Sequence, residues 1–204
     1  MDPVVENILG AAIAEFAEHG LAGARVDAIA ARTRTSKRML YYYFGSKDGL
    51  YAAALTHAYE QIRSDQAEPP LDDMPPRHAL RTYVGYVFDT HVAHPHFVRL
   101  VMGENLLGGR FVAAMPAIRQ TNVLGLETLV GILERGRAEG LMRADVPALD
   151  VYANVVGLSF HFVSNRSTFS ALFEQGLSAD EVRQARRRCI VETVERQVVV
   201  AHRL

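Results

Sequence analysis

Apolar residues recur three and four positions apart along almost the whole chain, a periodicity that leaves room for little except helices. Val4, Ile8, Leu9, Ala12, Ile13 and Phe16 form the first such stripe. It ends at His19-Gly20, where glycine suits a left-handed helix end. A second, shorter pattern covers residues 26 to 32 and turns Val26, Ile29 and Ala30 inward. The polar run Thr33-Arg34-Thr35 breaks it. Ser36 then offers an N-cap to a third helix reaching about Tyr43, with Leu40 and Phe44 facing inward. Gly45 ends that helix, and Ser46 caps a fourth that runs from Lys47 to about Ser64. Strand signals are scarce, and apolar runs such as Val198-Val199-Val200 lie inside helical patterns.

The stretch AEPPLDDMPP, residues 67 to 76, holds four of the chain's eight prolines and reads as a linker. Beyond it the periodicity predicts about five or six more helices. Their breaks fall at His94-Pro95, Gly108-Gly109, Gly140 with Val146-Pro147, and Gly176. Ser178 followed by Glu181 resembles a capping box that opens a last helix reaching about Val200. The expected fold is all-α: a helix-turn-helix module over residues 1–50, and a larger helical body over residues 51–204.

Composition narrows the classes. With 49% apolar residues the chain can build a sizeable core, yet no uninterrupted apolar run approaches the length of a membrane span. The first ten residues carry Asp2 and Glu6 and no basic residue, which argues against a secretory or transit signal and for the cytoplasm. The single cysteine, Cys189, excludes an internal disulfide and a cysteine-rich zinc site, and reads as a small apolar residue on a helix. Net charge is −1, but its distribution is uneven. Arg25, Arg32, Arg34, Lys37, Arg38 and Lys47 face only Asp27 in the same stretch, and the chain's two lysines both lie there. A local basic patch on a neutral protein has the form of a phosphate-binding surface.

Two short helices joined by a three-residue polar turn form a helix-turn-helix. A recognition helix enters the major groove by its N-terminal end, where Ser36, Lys37 and Arg38 can reach phosphates or the O6 and N7 acceptors of guanine. The hydroxyls of Tyr41 and Tyr43 can donate to phosphate oxygens while their rings stay packed. Lys47 adds its charge to the backbone N–H groups of a helix start.

These residues carry a resemblance. Phe16 and Gly20 match a first helix ending Phe-x-x-x-Gly, and Ile29-Ala30 match the next helix. Leu40, Tyr41, Phe44, Lys47 and Leu50 match Leu-Tyr-x-x-Phe-x-x-Lys-x-x-Leu in register. Over about residues 4 to 55 the chain thus resembles the N-terminal module of the TetR family of bacterial transcriptional regulators. The resemblance implies operator contacts at Ser36, Lys37, Tyr41 and Tyr43, and a phosphate held by Lys47. It also implies a homodimer on an inverted-repeat operator in double-stranded DNA, repressing until a small-molecule effector swings the reading heads apart. No cofactor or enzymatic activity is implied. Three departures stand out. Thr33-Arg34-Thr35-Ser36 replaces the usual Ala-Gly-Val-Ser, so Arg34 is expected to take a backbone conformation that favours glycine. Arg38 replaces a small residue and either reads a base or shifts the helix in the groove. Arg25 replaces the Thr or Ser that caps the second helix, and with Thr35 it joins the candidate contacts.

In the body, Tyr83, Phe88, His91, Met102, Tyr152 and His161 combine bulky apolar groups with a few polar tips, which suits a cavity for a small apolar or aromatic effector. His161 stands mid-helix in an apolar stretch and is expected to need a buried partner. The stretch from 151 to 163 is apolar around most of its circumference. Together with a last-helix stripe of Val182, Ala185, Cys189, Val194 and Val198, it is expected to form a four-helix dimer interface. His91, His94 and His96 are spaced poorly for a metal, because Pro95 interrupts them, and no metal is expected. The run GLSFH falls one residue short of a Gly-x-Ser-x-Gly elbow and sits in a helix, not at a strand end. The rival reading is a helical enzyme or small-molecule carrier whose basic module is incidental.

Overall fold

In the computed structural model the described residues are 2–64, 69–173 and 180–200. Among them lie eleven α-helices: α1 (Pro3–Gly23), α2 (Val26–Thr33), α3 (Lys37–Phe44), α4 (Lys47–Ser64), α5 (Pro76–Ala93), α6 (Pro95–Leu106), α7 (Arg110–Ala114), α8 (Pro116–Ala138), α9 (Ala148–Ser164), α10 (Arg166–Phe173) and α11 (Asp180–Val198). The boundaries at Gly45, His94-Pro95, Gly108-Gly109 and Pro147 fall where the sequence signals put them. Seven α-helices follow the proline-rich stretch, not five or six. The extra breaks come at Met115-Pro116 and at Asn165, where no glycine announces them. The capping box expected at Ser178 and the break at Gly176 lie outside the described residues. The last helix stops at Val198, because Val199 pairs with Met142 in an isolated antiparallel bridge and Val200 N–H donates to Leu141 O at 3.0 Å.

The chain divides into two compact units, residues 1–65 with 94–121, and residues 66–93 with 122–204. In the first, α1 packs along α4 and α6. Ile8, Phe16, Ile29, Leu40, Leu55 and Leu100 share its core, and each such fully buried side chain contributes about 1.5–3 kcal/mol. The Phe16 ring meets Tyr51 edge to face at 5.1 Å. Gly20, at φ 66°, bends α1 where the sequence marks its end, and the last turn continues to Gly23.

In the second unit α5 packs on α9 and α11. Leu80, Val84, Phe88, Val155, Ile190 and Val194 meet there. Val194 is 0% exposed and Val198 1%, so both face the chain's own core and not a partner. That corrects the expectation for these two residues. Cys189 lies about 140° around the helix from Val194 at 100° per residue, and it is exposed.

Charged groups set the register of α5 against α11. Glu195 accepts hydrogen bonds from Arg77 and Arg81, and Arg187 donates to Asp89 at 2.8 Å. Burial alone would raise the Glu195 carboxyl, but the hydrogen bond from Arg77 and the fields of both arginines outweigh it and hold the carboxyl below its usual 4.5. A depressed folded value contributes stability above the unfolded value and loses it as pH falls through the folded one. The thermal midpoint of this unit is therefore expected to drop as pH is lowered below 4.5, and Glu195→Gln to flatten that part of the curve. Calorimetry of both proteins across acid pH checks this.

Candidate nucleic-acid interface

The turn between α2 and α3 is built by three local devices. Arg34 takes φ 53° and ψ 31°, the left-handed conformation that the missing glycine foretold. Thr33 Oγ1 donates back to Ile29 O at 2.9 Å and closes the end of α2. Ser36 lies in an extended conformation and its Oγ accepts Met39 N–H at 3.2 Å, capping α3. A left-handed non-glycine residue costs about 1–2 kcal/mol. Arg34→Gly is expected to raise the stability of the first unit by about 0.5–1 kcal/mol after glycine's extra unfolded entropy is deducted, as read from its thermal midpoint.

Leu40 of α3 is buried and Phe44 packs half-buried against the same core, so these two present the other side of the helix outward. Ser36, Lys37 and Arg38 are exposed at its start. Tyr41 and Tyr43 are 40% and 38% exposed, with partly packed rings and accessible edges. Tyr42 is 78% exposed, the most open aromatic of the helix, and rests edge-on against Tyr43 at 5.6 Å. Sequence reasoning passed over Tyr42. Its signal was available, since a residue two positions after the buried Leu40 points to the opposite side of a helix.

The two lysines are both held. Lys37 Nζ lies 3.1 Å from Asp27 Oδ2, both side chains being about half exposed. A phosphate must compete with that carboxylate for the ammonium. Lys47 Nζ donates to Ala22 O at 3.1 Å, which fixes its charge between the end of α1 and the first turn of α4. Ser46 caps that turn, its Oγ accepting Gly49 N–H at 3.0 Å. Arg25 and Arg38 have no acidic partner among the described residues. Thr35 is partly buried and donates to Thr33 O at 3.3 Å, so its hydroxyl is turned into the loop.

Arg25 gives α2 no side-chain cap. Glu15 of α1 instead satisfies the N–H of the cap residue itself: it is 2% exposed, and its Oε1 accepts Arg25 N–H at 3.0 Å. Arg32 lies 3.7 Å and His19 3.9 Å from the same carboxylate. The sequence carried a sign of this in an acid set between Ile13 and Phe16, inside an apolar stripe.

The six body residues do not form one group. Tyr83 and Tyr152 converge on Gly125 of α8. The Tyr83 hydroxyl donates to Gly125 O at 2.9 Å, and the Tyr152 oxygen lies 3.4 Å from the place a Cβ would occupy there. Burial pushes the Tyr152 phenol up. Farther along α5 and α9, Phe88 stacks on Phe162 at 5.3 Å and His91 meets Phe160 edge-on at 6.1 Å. His91 Nδ1 lies 2.8 Å from Val87 O, and since a carbonyl only accepts, that nitrogen carries the proton. Met102 stands apart, 39% exposed in the other unit. His161 is exposed, which corrects its expected burial; its ring meets Phe169 at 5.4 Å, and it stands on the wall of a surface groove. The buried polar residue of α9 is Ser159, 0% exposed and with no hydrogen-bond partner for its Oγ.

On the outward side of α9, α10 and α11 an open groove of about 300 Å³ is lined by Phe162, Phe169, Val182, Ala185 and Cys189, with His161, Asn165 and Arg186 as its polar groups. No residue of α10 is buried, although Phe169, Leu172 and Phe173 are large and apolar. Among the described residues no three metal-ligating side chains come together, and no helix is long and apolar enough to cross a membrane.

Comparison with known proteins agrees with this geometry in both halves. Residues 8–54 match the family described as bacterial regulatory proteins, tetR family, and residues 76–194 match the tetracyclin repressor-like C-terminal domain. The chain is 34% identical over 177 residues to the HTH-type transcriptional repressor NicS of Pseudomonas putida, covering 87% of this chain and 84% of that one. It is 31% identical over 153 residues to the HTH-type transcriptional repressor SCO4008 of Streptomyces coelicolor, covering 75% and 74%. Among solved structures, the putative transcriptional regulator SCO4942 from Streptomyces coelicolor superposes with a TM-score of 0.69 at 28% identity, over 95% of this chain and 97% of that one. A TetR family transcription regulator from Marinobacter aquaeolei VT8 superposes with a TM-score of 0.71 at 20% identity, over 97% and 96%. With an exposed helix following the turn, and both halves matched, the chain belongs to the tetR family of bacterial regulatory proteins.

Proposed function

We propose that the chain is a homodimeric repressor that binds an inverted-repeat operator and releases it when a small molecule occupies its helical body. The observation that carries this reading is the outward face of α3. A capped helix start presents Ser36, Lys37 and Arg38, flanked by Tyr41, Tyr43 and Lys47, on a helix whose one buried residue is Leu40. Lys47 and the tyrosines hold phosphates, and Arg38 reads a base edge. Arg25 approaches the backbone from the start of α2, and Thr35 supports the turn. The alternative, an enzyme or carrier with an incidental basic module, is not favoured by the family match. A gel-shift series with the full chain and duplexes selected from a random pool tests the reading. Enrichment of an inverted repeat, with affinity falling steeply as salt rises, supports it; enrichment of no sequence rejects it.

Dimerisation is assigned to the outward side of α9, α10 and α11. The small residues Ala185 and Cys189 permit close helix approach, and the exposed Phe169, Leu172 and Phe173 supply apolar area. The effector site is assigned to the second unit at Tyr83, Phe88, His91 and Tyr152, with Ser159 added for its unpaired hydroxyl. Those groups suit an aromatic or apolar molecule carrying one or two polar atoms. A screen of small aromatic compounds for release of the selected duplex tests the assignment: Tyr152→Phe should weaken release while leaving DNA affinity within about twofold.

A further inference from the structure

A carboxylate stands at the entrance to the exposed helix. Lys37 is the first residue of α3 and Asp27 the second of α2. The Lys37 ammonium donates to Asp27 Oδ2 at 3.1 Å and so bridges the two helices. The neighbouring cations are held differently. Arg32 leans on the buried carboxylate of Glu15, and Lys47 on the carbonyl of Ala22. The Lys37 side chain is 49% exposed and that of Asp27 60%, so the pair faces solvent together at the N-terminal end of α3.

This pairing changes what Lys37 offers to DNA. An ammonium has three donors, of which Asp27 takes one and leaves two. Two is the number that the O6 and N7 acceptors of a single guanine take. The carboxylate also cancels the charge. A phosphate that draws Lys37 away exchanges one exposed ion pair for another, and such pairs are worth little. Lys37 therefore adds little to binding driven by phosphates alone. A base edge asks for donors more than for charge, and a tethered lysine stem has lost part of its rotamer freedom before DNA arrives. Asp27 has a second setting, as the acid in the first turn of α2, where negative charge suits a helix start. That setting concerns the stability of α2 and predicts nothing about salt or sequence.

We propose that Asp27 is a specificity-determining positioning residue: it withholds the Lys37 charge from phosphates of any sequence and holds the two remaining donors for a base edge. The proposal rests on the DNA-reading role given to α3 above, and its signature is a change in discrimination larger than the change in operator affinity.

The test measures the full chain on the selected duplex, its single-base variants and a scrambled duplex of the same composition, across a salt series. Lys37→Met should lose discrimination at one base pair, which marks the base that Lys37 reads. Asp27→Asn keeps the side-chain shape and removes the charge. It should tighten binding to the scrambled duplex about threefold to fivefold and raise its salt slope by about one counterion. Affinity for the selected duplex should stay within about twofold, and discrimination at the Lys37 base pair should fall about threefold. Asp27→Glu returns the charge and should move both quantities back toward wild type. In the Lys37→Met protein, Asp27→Asn should change binding to the scrambled duplex by less than about 1.5-fold. A gain there as large as in wild type overturns the proposal, because Asp27 then repels phosphates without acting through Lys37. Equal gains on selected and scrambled duplexes overturn it, and so does a Lys37→Met protein that discriminates as well as wild type. A lowered melting midpoint with salt slope and discrimination unchanged also overturns it, by confining Asp27 to the support of α2. If wild type distinguishes no sequence at all, the DNA-reading role of α3 fails and takes the proposal with it.

Discussion

Val194→Glu leaves no folded second unit. The residue is 0% exposed, in the apolar cluster where α11 meets α5 and α9, and the nearby Arg77 and Arg81 are already engaged by Glu195. An unpaired charge in such a site costs about 4 kcal/mol or more, a large part of the roughly 5–15 kcal/mol that holds a domain together. The expected result is insoluble protein, or loss of the unit's cooperative melting transition. Ala185→Arg is expected to behave differently. Ala185 is exposed on the outer side of the same helix, so the variant should melt like the parent and fail only to dimerise. Light scattering separates the two: a soluble monomer from Ala185→Arg supports the assigned face, and an unchanged dimer removes it.

Lys47→Ala should weaken binding to every duplex by a similar factor, about tenfold, and lower the salt slope by about one counterion. The structure gives this residue a second task, since its ammonium holds Ala22 O at the end of α1. Lys47→Arg should therefore recover part of the affinity, because charge returns while the compact fit beneath α1 does not. Arg38→Ala should act on one base pair, costing about 1–3 kcal/mol at the preferred base and little elsewhere. Binding measured on the selected duplex and its single-base variants distinguishes a phosphate contact from a base contact. If both substitutions act uniformly on all sequences, Arg38 reads no base.

Local rules carried the reading head well. The N-cap at Ser36, the buried Leu40 and the strained Arg34 all depend on neighbours within four residues, and each was legible from the order of side chains. Long-range partners were not. Glu15 finds Arg25 ten residues away, and Glu104 finds Tyr51 fifty-three residues away, so no periodicity reveals either. The body failed for a different reason. In α9 apolar residues surround the axis, so spacing alone does not say which side meets the chain's own core. Spacing alone therefore points to His161 as the buried polar group when Ser159 is, and joins Val194 and Val198 to a stripe that belongs to Cys189.

The carboxylate that α1 lends to the start of α2 bears on how such proteins can be recombined. Transplanting α2 and α3 alone into another scaffold would carry the contact residues but leave behind the carboxylate that accepts Arg25 N–H. The donor helix would begin one hydrogen bond short, and Arg32 would lose its nearest acid. The smallest portable cassette for swapping operator preference therefore includes α1.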